Sequence, residues 1–223
     1  MGKDISLKSK DGFEFGAYVA EPEGKPRGAI VVIQEIFGVN HHIRSVTDRY
    51  AQLGYLAIAP ALFDRGEKNF QSGYDGAAMD KARGMTQKIS LDDRLADTQA
   101  AIDHVKSAGK VAVLGYCMGG SIAFLSATRL NGVSAGVGYY GGQIAQFHAE
   151  KPKAPILLHF GEKDQSIPLT DVEKIKAAHP EAPVYVYMGA GHGFHCDERG
   201  SFNAEAAQVA ACRSQEFLAK HIG

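Results

Sequence analysis

The stretch Val111-Ala-Val-Leu-Gly-Tyr-Cys-Met-Gly-Gly120 decides the fold. It opens with four apolar residues, the composition of a strand buried on both faces of a parallel sheet. A glycine stops the run. A cysteine follows two residues later, with another glycine two residues beyond it. Gly-x-nucleophile-x-Gly at a strand-to-helix junction describes a turn too tight for side chains beside it, which holds the nucleophile strained above the sheet. Met118 opens the next helix, and its backbone N–H is then placed to receive a developing oxyanion. The bland alternative is a glycine turn around a buried, inert thiol, and the motif alone leaves both open.

Working outward, strand-like and helix-like segments alternate. Upstream, Ile5, Leu7, Phe13, Phe15, Ala17 and Val19 flank the turn Lys10-Asp11-Gly12 and predict an antiparallel hairpin. After a Pro/Gly-rich turn, Ala29-Ile-Val-Val-Ile33 is a continuous apolar strand. A helix is expected over 43–53, then the strand Tyr55-Leu-Ala-Ile-Ala-Pro60. Leu91, Leu95, Thr98, Ile102 and Val105 form a stripe at helical spacing. Downstream come a helix over 121–128, a strand over 133–140, the strand Pro155-Ile-Leu-Leu-His-Phe160 and a helix over 169–178. The strand Val184-Tyr-Val-Tyr-Met188 and a helix over 204–221 close the chain. Strands alternating with helices predict a mostly parallel twisted sheet with helices on both faces and an N-terminal antiparallel hairpin. No repeat or linker interrupts residues 1–223, so a single domain with little or no cap is expected. The stretch 62–90 is polar, glycine-rich and long for a loop, which marks it as a substrate-covering insertion.

Two further groups fall where catalysis would need them. In α/β-hydrolases the order along the chain is nucleophile, acid, histidine, each after a strand. Asp164 lies in Gly161-Glu-Lys-Asp-Gln-Ser-Ile-Pro168, and His192 lies in Gly189-Ala-Gly-His-Gly-Phe194. A loop aspartate by itself is a turn former and a loop histidine by itself is solvated, but order, strand context and glycine surroundings agree for all three. A second oxyanion donor is expected from the loop after Ala29–Ile33, which makes Ile36 N–H the candidate. Glu35 precedes it, at the end of a buried strand where a carboxylate needs a partner. It is either a structural residue or a neighbour of the thiol, where its charge would oppose ionisation. His159 sits within its strand and is expected to pack there. His192, His195 and Cys196 form H-x-x-H-C, but off a helix and without further ligands that spacing does not build a metal centre, so no metal is expected.

The 223 residues are 45% hydrophobic and 22% charged, with a net charge of −1. That is the composition of an ordinary globular chain without the basic footprint of a nucleic-acid or membrane binder. No apolar run approaches the ~18 residues of a membrane span, and the first ten residues lack the apolar core of a secretion signal. Cys117, Cys196 and Cys212 cannot all pair within the chain, which points to free thiols and a reducing, cytoplasmic setting. Nothing indicates an obligate partner, and a monomer is expected.

At this point the sequence resembles the dienelactone hydrolase family of α/β-hydrolases, the carboxymethylenebutenolidases. The resemblance rests on Gln34-Glu-Ile-Phe-Gly-Val-Asn40, Gly115-Tyr-Cys-Met-Gly-Gly120, Ala135-Gly-Val-Gly-Tyr-Tyr-Gly141 and the acid and histidine loops. It implies a Cys117–His192–Asp164 triad, an oxyanion hole of Ile36 and Met118, and control of the resting thiol by Glu35. It also implies cofactor-free hydrolysis of a small lactone or enol ester. Family members grip a substrate carboxylate with two arginines. Four residues after the catalytic histidine, where one of them usually falls, this chain has Cys196; the nearest downstream arginine is Arg199. Arg83 lies near the place of the other. Arg83, Tyr139 and Phe37 are the expected substrate contacts. Other small esters or thioesters suit the same site. A redox-sensing thiol on a hydrolase-like scaffold is the reading from a different class.

Overall fold

A computed structural model describes residues 2–223. Eight strands form one sheet in the order β1-β2-β4-β3-β5-β6-β7-β8. Its two halves have different origins in the sequence. β1 (Lys3–Lys8), largely exposed at the sheet edge, pairs antiparallel with β2 (Glu14–Ala20), which is buried from Ala17 onward and is also antiparallel to β4 (Leu56–Pro60). From β4 onward every pairing is parallel, through β3 (Ala29–Ile33), β5 (Val111–Tyr116), β6 (Val133–Tyr139), β7 (Ile156–Gly161) and β8 (Val184–Tyr187). β3 and β5 are buried along their whole lengths, which is why they read as unbroken apolar runs.

The helices cover both faces of this sheet and start where their caps dictate. α1 (His41–Gln52) begins at Asn40, whose side chain accepts from Ile43 N–H; α3 (Leu91–Val105) begins at Ser90, which accepts from Asp93 N–H. The stripe read for α3 is buried at Leu95, Thr98, Ile102 and Val105. α4 (Met118–Arg129) is buried on nearly all sides between strands, and α5 (Leu169–Ala178) and α6 (Ala204–Ile222) follow β7 and β8.

One element departs from the sequence reading. The stretch 62–90, read as a long loop, contains α2 (Gly76–Lys88), capped by Asp75. Only Ala82 and Met85 of this helix are buried, so no apolar stripe announces it, and Gly76 and Gly84 weaken its propensity. With Phe37, Phe63, Phe70, Ile89 and Met118 it builds a second apolar cluster apart from the main core. Among the described residues no helix is long and apolar enough to cross a membrane.

Candidate active site

The turn between β5 and α4 is as tight as its glycines imply. A Cβ on Gly115 would sit 2.1 Å from Gly119 O, one on Gly119 would sit 2.4 Å from Ile33 O, and one on Gly120 would sit 2.4 Å from Tyr139 O. Side chains at these three positions would drive α4 off the sheet. Cys117 itself adopts φ +55°, ψ −117°, a conformation L-residues avoid, and is held there by Cys117 N–H donating to Tyr139 O at 2.9 Å. Its Sγ therefore stands at the carboxyl edge of the parallel strands.

The loops after β7 and β8 reach the same edge. His192 Nε2 lies 3.1 Å from Cys117 Sγ, and His192 Nδ1 lies 2.7 Å from Asp164 Oδ2. Asp164 is buried, and its other oxygen accepts from Ser166 N–H at 2.8 Å, which fixes the carboxylate. Burial disfavours charge on His192. The facing Cys117 sulfur, then the bonds to Asp164 and Cys117, outweigh it and push the imidazole pKa up to about 10. The ring of Tyr140, itself at φ +38°, packs 5.1 Å from that of His192 and confines it.

Ile36 and Met118 line one cavity with Cys117 and His192, of about 570 Å³. Neither backbone N–H donates to another group among the described residues, so both are available to an oxyanion. Phe37 forms part of the wall, its ring 4.6 Å from that of Tyr74. Met79, Arg83, Thr86 and Gln87 of α2 close the cavity from above, so the 62–90 insertion does border the site, as a helix. Arg83 is largely exposed at its rim and stands 3.6 Å from Asp80.

Three findings correct or extend the sequence reading. Tyr139 is no wall residue: it is fully buried in the core, its hydroxyl donating to Ala210 O at 3.1 Å and lying 2.6 Å from Ser214 Oγ. It ends β6 with its side chain toward α6, and the next residue, Tyr140, is the one that meets the histidine. Glu35 has no hydrogen bond to the thiol. It is 1% exposed and accepts from Arg199 Nη1 at 2.9 Å, while its second oxygen has no partner. A buried carboxylate takes the guanidinium within reach, and the sulfur is left to His192. The third is a pair of arginines absent from the expected contacts. Arg199 and Arg94 both line the cavity, and no Asp or Glu does among the described residues. Arg94 is buried, donating to the carbonyls of Thr86, Ile89 and Ser90. In sequence it is one polar residue of an amphipathic helix, and nothing there tells a cavity arginine from a solvated one. No group of three or more ligating side chains includes Cys117, His192 or Asp164 among the described residues.

Residues 15–222 match the model of the dienelactone hydrolase family. The carboxymethylenebutenolidase of Pseudomonas putida is 35% identical over 229 residues, which cover 98% of this chain and 97% of that protein. A candidate carboxymethylenebutenolidase from Synechocystis sp. is 36% identical over 214 residues, 87% of each chain. The structure is similar to that of a candidate dienelactone hydrolase from Klebsiella pneumoniae, with a TM-score of 0.88 at 30% identity and 99% of both chains covered.

Proposed function

The chain belongs to the dienelactone hydrolase family and has its α/β-hydrolase fold; on that premise we propose that it opens lactones or enol esters without a cofactor, through a thioester on Cys117. That it is a carboxylic ester hydrolase follows from the family and from relatives about one-third identical along nearly the whole chain. The observation that carries the finer reading is the continuous hydrogen-bonded line Asp164–His192–Cys117 at the floor of the cavity.

In this reading Asp164 holds the imidazole and stabilises its charge, and His192 takes the thiol proton. The thiolate attacks the carbonyl carbon, and the tetrahedral oxyanion lies between Ile36 N–H and Met118 N–H. The C–O bond breaks, the leaving alkoxide or enolate takes the proton from His192, and an acyl-thioester remains. Water then gives a proton to His192 and attacks the thioester; collapse expels the thiolate, and the product acid departs. A thiolate is a good attacking group, so enol esters and strained lactones suit it. Amides do not, because an amine leaves only when protonated.

Glu35 enters through Arg199. With the pair closed, Arg199 is engaged. An anionic group on the substrate that draws Arg199 away would leave the buried Glu35 carboxylate without its partner. Arg94 and Arg199 in a cavity wall without carboxylates favour such an anionic substrate over a neutral one.

The test uses an activated aryl ester and an unsaturated lactone with the purified chain. Cys117→Ala should lower kcat/KM by at least ~10³-fold, as removal of a triad nucleophile does. His192→Ala should accumulate an acyl adduct on Cys117 visible by mass spectrometry. Full turnover by Cys117→Ala would discard the nucleophile assignment.

A further inference from the structure

Beyond His192 the same loop continues through His195, Cys196, Asp197, Glu198 and Arg199 and lies against the first turn of α1. His41 Nδ1 bonds Glu198 Oε1, and His42 Nδ1 lies 3.2 Å from Asp197 Oδ1. The ester chemistry uses neither His42, Cys196 nor Asp197. Yet one ligating atom from each, a ring nitrogen, a sulfur and a carboxylate oxygen, all lie within 4.8 Å of one another.

We propose that His42, Cys196 and Asp197 form a binding site for a divalent first-row transition ion of the zinc class, with water in the remaining position. The reading stands apart from the proposed hydrolysis and does not depend on it.

The donor set selects the ion. Thiolate and imidazole with one carboxylate suit zinc or cobalt(II), whereas magnesium and calcium want oxygen alone. Donors bound at 2.0–2.3 Å around a tetrahedral ion stand about 3.3–3.6 Å apart. His42 and Asp197 are already near that separation, held by their mutual hydrogen bond, and the sulfur, which donates to the Tyr74 hydroxyl at 3.4 Å, has to close by up to ~1.3 Å. Two ligands are consecutive loop residues and can make that adjustment. The third rides on a helix fixed by its Asn40 cap. His42 and Cys196 are buried, while the Asp197 side chain is 58% exposed, which gives an ion a way in.

A second observation points the same way. His42 Nε2 and His195 Nδ1 are both buried without a partner, and the two rings meet edge to face with centroids 6.5 Å apart. With His42 Nδ1 turned to Asp197, its Nε2 has no partner among the described residues. An ion on Nδ1 would leave the ring proton on Nε2, beside a ring whose own nitrogen lacks a partner. Ligating histidines ordinarily have an outer partner of this kind on the far nitrogen. The balance is simple. The ion bonds to neutral His42, the Asp197 carboxylate and the Cys196 sulfur, and the Cys196 thiol proton leaves to solvent. Sequence reading could not find this set, because His42 is remote from the H-x-x-H-C segment in the chain.

The experiment titrates the full, metal-free chain with Co²⁺ and records the thiolate-to-cobalt charge-transfer band in the near ultraviolet, the visible bands of four-coordinate cobalt, and proton release. The expected result is one saturable equivalent, one proton per ion, and bleaching by equimolar Zn²⁺. Cys117→Ser and Cys212→Ser should keep the charge-transfer band, and Cys196→Ser should lose it. Asp197→Asn changes an exposed side chain and remains informative if Cys196→Ser does not fold; it should weaken binding by about tenfold or more. A band that survives Cys196→Ser, a band that vanishes in Cys117→Ser, unchanged affinity in Asp197→Asn, or no saturation near one equivalent would each overturn the site.

Discussion

Arg199→Met gives the sharpest test of how the cavity holds its charges. Glu35 is 1% exposed and the Arg199 side chain 14%, with 2.9 Å between them, and the second Glu35 oxygen already lacks a partner. Methionine removes the guanidinium that lies over the Phe37 and Tyr74 rings and leaves the carboxylate with no partner at all. Removing one member of a buried pair costs about 3–5 kcal/mol, against a total of about 5–15 kcal/mol for an ordinary domain. Glu35→Gln keeps an acceptor for Arg199 and should cost only about 1–2 kcal/mol. The double variant should be more stable than Arg199→Met alone, since the stranded charge is gone. Urea unfolding at pH 8 and pH 5 measures all four proteins. In Arg199→Met the native state binds a proton more readily than the unfolded chain does, so its stability relative to the parent must fall as pH rises. The deficit should therefore be larger at pH 8 than at pH 5. A deficit below ~1 kcal/mol that is the same at both pH values would refute a charged, buried Glu35 held by Arg199.

Other expectations follow from single contacts. Gly119→Ala places a Cβ 2.4 Å from Ile33 O and 2.6 Å from Gln34 O, so it should lower the melting temperature and disable the site together; wild-type behaviour would contradict the tight elbow. Tyr139→Phe removes hydroxyl bonds to Ala210 and Ser214 in the core and should cost about 1–3 kcal/mol in chemical denaturation with KM unmoved. The His192 pKa, raised to about 10 in the folded chain, makes a stabilising contribution that is full below the unfolded value of ~6.5 and lost as pH climbs through about 10. The stability gap between the parent and His192→Gln should close over that window, and a gap widening toward alkali would argue against the charged pair.

Much of this arrangement is legible in the sequence because it follows from short-range constraints. A strand buried on both faces must be apolar throughout, so β3 and β5 stand out. The elbow must spell its glycines around Cys117. Strand-ending loops must carry Asp164 and His192 in chain order. What stayed hidden obeys no local rule. α2 rests on a cap and two buried side chains, too little for a periodic signal. Tyr139 and Tyr140 are adjacent, identical and both fully buried, and only their tertiary contacts tell the ring that meets His192 from the one whose hydroxyl lies by Ser214. Arg94 and Arg199 differ from surface arginines only in the tertiary contacts they meet.

The distance in sequence between Cys117 and His192 also bears on how the chain assembles the proposed site. Cys117 and His192 are separated by 75 residues, and β6, β7 and β8 must join the sheet before the loop bearing His192 is in position. Contacts of such separation form late, after the loop-closure entropy between them has been met. A growing chain thus presents Cys117 well before the imidazole that it faces in the fold has been synthesised. Return of hydrolysis during refolding therefore reports the docking of the last strands, a step later than the bulk gain of helix and sheet.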